Sequence, residues 1–397
     1  MALRLGFHYH VPMLRRADGL YTPGYQGRFL DSLAAHCDRL ICFMHAPLPS
    51  EMEIMDYRIR APNCELVNIG LHASVPRRTL SSPAVIRAIR QRQADLDVML
   101  VRGPSPLLPM VAWAARPKPV ALLLVADYLA GVDELPQPWW RKELIRIWAW
   151  GNSWAQMQVA KQALTFVNSR LLYEQLHHRI PHIVETRTTT LSESDFFFRE
   201  DTCQAPPYRL LYTGRISVSK GLVDIVEALA MVVAQGMDVI LDLVGPLEPG
   251  DPCLEEIYQM AEARGVRDRV QYHGYRPVGP ALFEFYRRAD IFVIASRSSF
   301  EGFPRVIWEA MAHSLPVVAT RVGSIPLFLV HERDAILVPP HSPEDLANAI
   351  ARTIRDSGLR KLLIGSGMQL ARMNTLEARA EELMSRIQDY LDHNAMG

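Results

Sequence analysis

The chain has 397 residues, 49% of them hydrophobic and 22% charged, with 43 basic and 43 acidic side chains and five scattered cysteines. A length beyond the roughly 250–300 residues that one core organises predicts two domains, and the ordinary globular composition excludes a long disordered tail. The balanced charge gives no nucleic-acid footprint, the odd and dispersed cysteines exclude a disulfide scaffold, and no apolar run is long enough for a membrane span. The short, charged start MALRLGFHYH does not read as a leader, so a reduced, cytoplasmic protein is expected. The zero net charge hides an asymmetry: residues 1–190 carry 22 Lys and Arg against 15 Asp and Glu, and residues 191–397 carry 21 against 28.

The first third alternates short apolar runs with segments of helical period. Leu3–Tyr9 reads as a strand and Gln26–Cys37 as a helix, followed by strands at Leu40–Met44, Cys64–Ile69, Val98–Val101, Ala121–Val125 and Ala163–Val167. Strands separated by helices pair in parallel through right-handed crossovers, which predicts a doubly wound sheet. Thr186–Pro207, polar and without helical period, reads as a linker. The pattern then restarts with strands at Arg209–Tyr212, Asp238–Val244, Val270–Tyr272, Ile291–Ala295, Pro316–Ala319 and Ala335–Val338. Helices are expected at Leu222–Gln235, Leu254–Arg264, Leu282–Ala289 and Pro304–His313. The expected organisation is a domain over 1–190, a second over 191–374, and a C-terminal segment, 375–397. In that segment Thr375–Leu391 forms an amphipathic helix able to pack back on the first domain. Two such sheets would face a central cleft, and open α/β sheets bind ligands beyond the carboxyl ends of their strands.

The most informative string is SRSSFEGFPRVIWE, Ser296–Glu309, which follows a strand and sets Glu301 and Glu309 eight positions apart. Gly302, Phe303 and Pro304 form a turn at a helix start, where Pro fits because its missing N–H would be unpaired anyway. Open backbone N–H groups and the positive end of the helix dipole favour an anion there. A carboxylate that accepts two hydroxyl hydrogen bonds suits a ribose diol or a sugar. Read alone, the two acids could equally be surface carboxylates flanking a helix start.

The second string is LYTGRISVSKG, Leu211–Gly221, in which Arg215 and Lys220 follow a strand and precede a helix. Two cations on such a loop fit a diphosphate, Arg by forking onto two oxygens and Lys as a point charge. Gly245 and the run His273–Gly274–Tyr275–Arg276 end further strands on the same side and offer backbone groups to a nucleobase; His273 itself reads as well as a structural residue.

These strings, with DLVG, VQYHGY, ADIFVIAS, AHSLPVVATRVGSIP and ILVPPHSPEDLANAI, resemble the retaining glycosyltransferases of family 4 over about residues 208–350. The resemblance implies a GT-B fold of two Rossmann-like domains and a nucleoside-diphosphate sugar as donor, with neither metal nor cofactor. It places Arg215 and Lys220 on the diphosphate, Glu301 on the transferred sugar and Glu309 on the ribose. Backbone groups from Gly302 to Ile307, Phe303, Pro304 and Val306 among them, would take sugar hydroxyls and phosphate. Gly245, Gly274 and Tyr275 join the donor site, and Gly24 in the loop Pro23–Gly24–Tyr25–Gln26 would approach the diphosphate from the first domain.

The chain departs from the family pattern in three places. Pro23 replaces the first of two usual glycines. Ala126 stands where a His commonly precedes an acid, leaving Asp127 and Tyr128 as acceptor-side candidates. His313 and Ser314 occupy a place often held by glycine. No D-x-D motif stands where it would bind a metal. Because departure of a nucleoside diphosphate builds negative charge on phosphate, Arg215, Lys220 and the helix dipole would supply electrostatic catalysis. The expected reaction is transfer of the sugar to a hydroxyl of a glycan, glycolipid or small glycoside, by attack on the leaving-group face. A nucleotide-sugar-binding protein with weak turnover, or an epimerase of the same architecture, would share these motifs.

Five of the seven tryptophans, Trp139, Trp140, Trp148, Trp150 and Trp154, cluster beside Arg141, Lys142 and Arg146. A basic aromatic helix of this kind fits peripheral contact with the inner membrane face or an apolar acceptor, and equally a packing helix or an oligomer contact.

Overall fold

The computed structural model describes residues 3–125, 138–248, 250–298 and 302–395. The chain divides into two compact units, Met1–Thr188 with Leu376–Gly397, and Thr189–Thr375.

Unit 1 carries a seven-stranded sheet and a small antiparallel one. Its strands are β1 (Arg4–His8), β2 (Leu14–Arg16), β3 (Gly19–Thr22), β4 (Arg39–Ala46), β5 (Tyr57–Arg58), β6 (Cys64–Leu71), β7 (Val98–Gly103), β8 (Val120–Leu124), β9 (Leu164–Val167) and β10 (Ile183–Glu185). The large sheet runs β10-β9-β8-β7-β1-β4-β6, with every pairing parallel, while β2, β3 and β5 form the small one. Parallel strands are covered on both faces, which is why they read as unbroken apolar runs; all six residues of β7 are buried. The helices are α1 (Gly24–Ala34), α2 (Val75–Leu80), α3 (Ser82–Gln91), α4 (Leu108–Ala115), α5 (Trp139–Ala160) and α6 (Arg170–Leu176). The predicted strands all form, but α1 begins two residues earlier than its periodicity implies, because Pro23 serves as N-cap and Asp56 accepts from the Gly24 N–H at 2.8 Å. Strands β2, β3, β5 and β10 were not legible: each has two to four residues, too few for a period to show.

Unit 2 is a six-stranded parallel sheet of β11 (Tyr208–Thr213), β12 (Val239–Val244), β13 (Val270–Tyr272), β14 (Ile291–Ile294), β15 (Val317–Thr320) and β16 (Ile336–Val338), in the order β13-β12-β11-β14-β15-β16. Its helices are α7 (Leu222–Ala234), α8 (Cys253–Ala263), α9 (Pro280–Arg288), α10 (Arg305–Ala312), α11 (Ile325–Phe328), α12 (Pro343–Arg355) and α13 (Ser357–Arg372). In chain order the strands read 3-2-1-4-5-6, the doubly wound arrangement whose direction of winding reverses between the first and fourth strands. That reversal falls between β11 and β14, and the connections leaving the two strands diverge to opposite faces of the sheet. The segment entering the unit packs against it: the Phe197 N–H donates to Ala312 O at 2.9 Å, and Arg360 forks onto Asp201 at 2.7 and 3.0 Å.

The last helix, α14 (Leu376–Ala395), returns to unit 1. Ala380, Leu383, Met384 and Ile387, spaced to share one face, join Leu30 and Leu33 of α1 in the core, and Ser32 donates to Leu376 O at 2.9 Å.

Candidate functional site

The two strings singled out in the sequence leave the sheet of unit 2 side by side at its reversal point. After β11 comes the loop Gly214–Gly221, with a tight turn at Val218–Lys220; after β14 comes the stretch that leads into α10. The loops touch through backbone. Arg297 N–H donates to Ser219 O at 3.0 Å, and the Arg297 guanidinium forks onto Asp224 of α7 at 2.6 and 3.0 Å. Gly221 is left-handed, with φ of +65°, and a Cβ there would stand 2.1 Å from Ala295 O, so only glycine permits the approach. The turn after β12 is equally close: a Cβ on Gly245 would lie 1.8 Å from Gly214 O. Gly214 N–H donates to Val244 O and Gly245 N–H to Gly274 O, both at 3.0 Å. Gly214, Gly245 and Gly274 thus step across the carboxyl ends of three adjacent strands.

Arg215 and Lys220 both sit on the first of these loops. The Arg215 side chain is 63% exposed and reaches Glu248, in the turn after β12, at 3.0 Å. Lys220 is half-buried in its turn, with its N–H donating to Ser217 O at 3.0 Å. Glu248 was missed in the sequence, where nothing sets it apart from other turn acids.

Helix α10 starts at Arg305 with Pro304 as N-cap, one residue later than the start expected at Pro304. Phe303 stacks on Trp308 with ring centres 4.2 Å apart and meets Phe328 edge-on, which fixes the chain's entry into the helix. The Ile307 N–H already donates to Pro304 O at 3.1 Å; Val306 is half-buried and Gly302 exposed. Glu309 is no surface carboxylate. It is 3% exposed, with Oε2 accepting from the Tyr286 hydroxyl at 2.8 Å and Oε1 accepting from Thr190. Since the Tyr286 proton is committed to Glu309, the Thr213 hydroxyl donates to the Tyr286 oxygen, at 2.6 Å. Burial first, and the Glu309 charge second, push the Tyr286 phenol well above its usual range. The carboxylate is therefore anchored to α9 and to the last residue of β11.

At the far end of α10, His313 is buried neutral: burial lowers its ring to about 4, against a hydrogen bond with Glu309 O at 2.7 Å. Ser314 adopts φ of +58°, the left-handed conformation that explains a glycine preference at this position. Its hydroxyl compensates, accepting from Arg199 N–H at 2.8 Å and donating to Phe197 O at 3.0 Å.

Elsewhere the candidates scatter. His273 binds Asp242 at 2.7 Å beneath Phe285 and is part of the packing, whereas Tyr275 is exposed. In unit 1 the Gly24 N–H is engaged by Asp56, and the glycine that contact demands is Gly27, where a Cβ would stand 2.2 Å from the Tyr57 ring. Glu301, and with it Ala126, Asp127 and Tyr128, lie outside the described residues. One D-x-D string does occur, Asp95-Leu96-Asp97. It precedes β7, at the amino ends of the strands, with Asp95 on Arg92 at 2.7 Å and Asp97 on Arg4 at 2.6 Å.

Unit 1 has a constellation at its own reversal point, between β1 and β7, that the sequence reading passed over. His8 ends β1, with Nδ1 on Phe43 O at 2.9 Å and Nε2 on Ser105 at 3.2 Å. His45 lies in β4, His72 follows β6, and His10 stacks near His72 at 6.5 Å. Arg78 is buried beside them. His72 binds Glu51 through Nδ1 at 2.6 Å, while its buried Nε2 has no partner among the described residues. Burial, seconded by the charge of Arg78 or the neighbouring rings, lowers His10 to about 4 and His45 to about 3; burial, opposed by the Phe43 carbonyl, lowers His8 to about 4. Among the described residues no group of His, Cys, Asp and Glu is arranged to hold a metal. The signal in the sequence was a histidine at the carboxyl end of three successive strands.

Two doubly wound α/β units joined in this way are the GT-B architecture. Residues 207–356 match the family model described as Glycosyl transferases group 1, so unit 2 carries a group 1 glycosyltransferase domain. A D-inositol 3-phosphate glycosyltransferase from Corynebacterium glutamicum is 31% identical over 182 residues, 45% of this chain and 42% of that protein. The matched stretch spans less than half the length of such curated relatives. Among solved structures, Anabaena Alr3699/HepE in complex with UDP and glucose superposes with a TM-score of 0.72 at 18% identity, over 98% of this chain and all of that one. Sucrose-phosphate synthase from Thermosynechococcus elongatus gives 0.69 at 19% identity, over the full length of both.

Proposed function

We propose that this protein transfers a sugar from a nucleoside-diphosphate donor to a hydroxyl acceptor, with retention at the anomeric carbon and without a metal ion. The observation that carries the reading is the backbone contact of the β11 and β14 loops at the reversal point of a 3-2-1-4-5-6 sheet, which brings the Arg215 and Lys220 loop against the stretch opening α10. Donor diphosphate would displace Glu248 from Arg215, take Lys220 as its second cation and lie at the amino end of α10. Glu309, held in place by Tyr286 and Thr190, would accept the ribose hydroxyls, and Glu301 would orient the transferred sugar.

As the bond from the anomeric carbon to the phosphate oxygen breaks, negative charge gathers on the leaving diphosphate, where fixed cations and helix N–H groups stabilise it most. The acceptor oxygen bonds to the same face of that carbon and gives its proton to the departing phosphate oxygen. Unit 1 is assigned the acceptor, with the carboxyl ends of β1, β4 and β6 as its candidate surface. A thermal-shift series with UDP, GDP, ADP and dTDP tests the donor side, UDP first because the Anabaena protein binds it. Slow donor hydrolysis that disappears in Glu301→Ala supports a transferase. Nucleotide binding without turnover would instead mark a binding protein, and conversion of the free sugar nucleotide an epimerase.

A further inference from the structure

Helix α5 of unit 1 turns its aromatic side outward. Trp139, Trp140, Leu144, Ile147, Trp150 and Trp154 are each 53–77% exposed, whereas the positions it buries are Ala149, Gln156 and Ala160. At 3.6 residues per turn, Trp140, Ile147 and Trp154 fall along one line, Leu144 and Trp150 flank it, and the buried positions lie opposite. The helix is therefore held to the unit by Ala149, Gln156 and Ala160 with Met157 and Val159 beside them, and presents four of its five tryptophans to the surroundings, over a length of roughly 20 Å. Four indoles so placed expose on the order of several hundred Å² of apolar surface, more than a monomer ordinarily leaves in one patch.

The charges on the same helix have one prevailing sign. Arg141, Lys142 and Arg146, with Lys161 at its end, face a single acid, Glu143, which Arg146 binds. The side-chain type also discriminates between occupants. An indole wants an apolar environment for its ring and a wet one for its N–H, and a bilayer's headgroup boundary supplies both along a plane. A protein partner would instead anchor on one or two such side chains set in pockets. No described helix is long and apolar enough to cross a membrane, so the contact would lie in the interface plane.

We infer that α5 docks unit 1 on an anionic bilayer surface, with its tryptophans at headgroup depth and its basic residues on the lipid phosphates. The docking does not depend on the transfer reading, and its test uses no nucleotide. The full chain is sedimented with phosphatidylcholine vesicles, with and without phosphatidylglycerol. Partition onto the anionic vesicles is expected, reduced about tenfold or more by high salt or by the pair Trp150→Glu and Trp154→Glu. Circular dichroism and melting of the double variant check that it folds. Should that variant fail to fold, brominated acyl chains, which quench only indoles at the interface, give the same answer on the unaltered protein. Quenching supports the inference. Absence of quenching, equal partition of variant and parent, or Trp150 and Trp154 buried in a homodimer that ignores vesicles would overturn it.

Discussion

The Tyr286 hydroxyl donates to Oε2 of Glu309 at 2.8 Å, so a carboxylate expected on a ligand is first of all part of the fold of unit 2. Tyr286→Phe removes that donor from a buried charge and leaves the Thr213 hydroxyl without its acceptor. Such losses cost about 1–3 kcal/mol. The variant is expected to unfold at correspondingly lower urea and, because Glu309 loses its anchor, to show weaker stabilisation by the nucleoside diphosphate. A variant with unchanged urea midpoint and nucleotide response would show that the tyrosine does not hold the carboxylate.

Gly221 offers a sharper case. Its φ of +65° and the 2.1 Å that would separate an added methyl from Ala295 O make Gly221→Ala both strained and obstructed by backbone, which cannot give way as a side chain could. The loop must move off β14, taking Lys220 with it. Loss of about 2 kcal/mol or more and loss of nucleotide-induced thermal stabilisation are expected together. Retention of full nucleotide stabilisation would separate the loop contact from donor binding.

Much of unit 2 was legible because parallel strands buried on both faces leave apolar runs that no other element mimics, and because the glycines after β11, β12 and β13 mark where backbones come together. The relationship of Glu309 with Tyr286 and Thr190 was not, since the three residues are far apart in the chain and meet only through packing. The histidines of unit 1 were hidden for the same reason: each looks incidental alone, and only the strand order β7-β1-β4-β6 makes His8, His45 and His72 neighbours. Ser314 shows a third kind of limit. A residue outside the family pattern reads as a tolerated change until φ and its two hydroxyl contacts give the reason.

Arg215 and Lys220 bear the proposed chemistry and little of the fold, because Arg215 is largely exposed and its bridge to Glu248 is a surface pair worth little. Arg215→Ala and Lys220→Ala should therefore melt within a few degrees of the parent while sugar transfer or donor hydrolysis falls on the order of 10²–10³-fold. A modest rate change in both would remove the leaving diphosphate from this loop.

Acid should destabilise the protein well above the range where carboxylates titrate. His8, His10 and His313 titrate at about 4 in the folded chain and His45 at about 3, against 6.5 when unfolded. Between those values the unfolded chain binds more protons than the folded one, so stability is full above about pH 6.5 and falls as the pH drops toward 4. Each ring contributes on the order of 3–5 kcal/mol over the whole window, and less in combination because three of them are neighbours. Urea midpoints at pH 7.5 and 5.0 measure the slope; equal midpoints would mean that the rings are not held neutral.

The left-handed Ser314 yields an ordering rather than a single magnitude. Ser314→Gly and Ser314→Ala both lose the hydroxyl that accepts from Arg199 N–H and donates to Phe197 O, together about 2 kcal/mol. Alanine retains the steric cost of φ at +58°, whereas glycine sheds about 1 kcal/mol of it and returns part of that gain as unfolded-chain entropy. Alanine is therefore expected to be the more damaging of the two, although it is nearer to serine in size. If urea denaturation ranks glycine as equal or worse, the strain at this turn is too small to matter, and the serine is there for its hydrogen bonds alone.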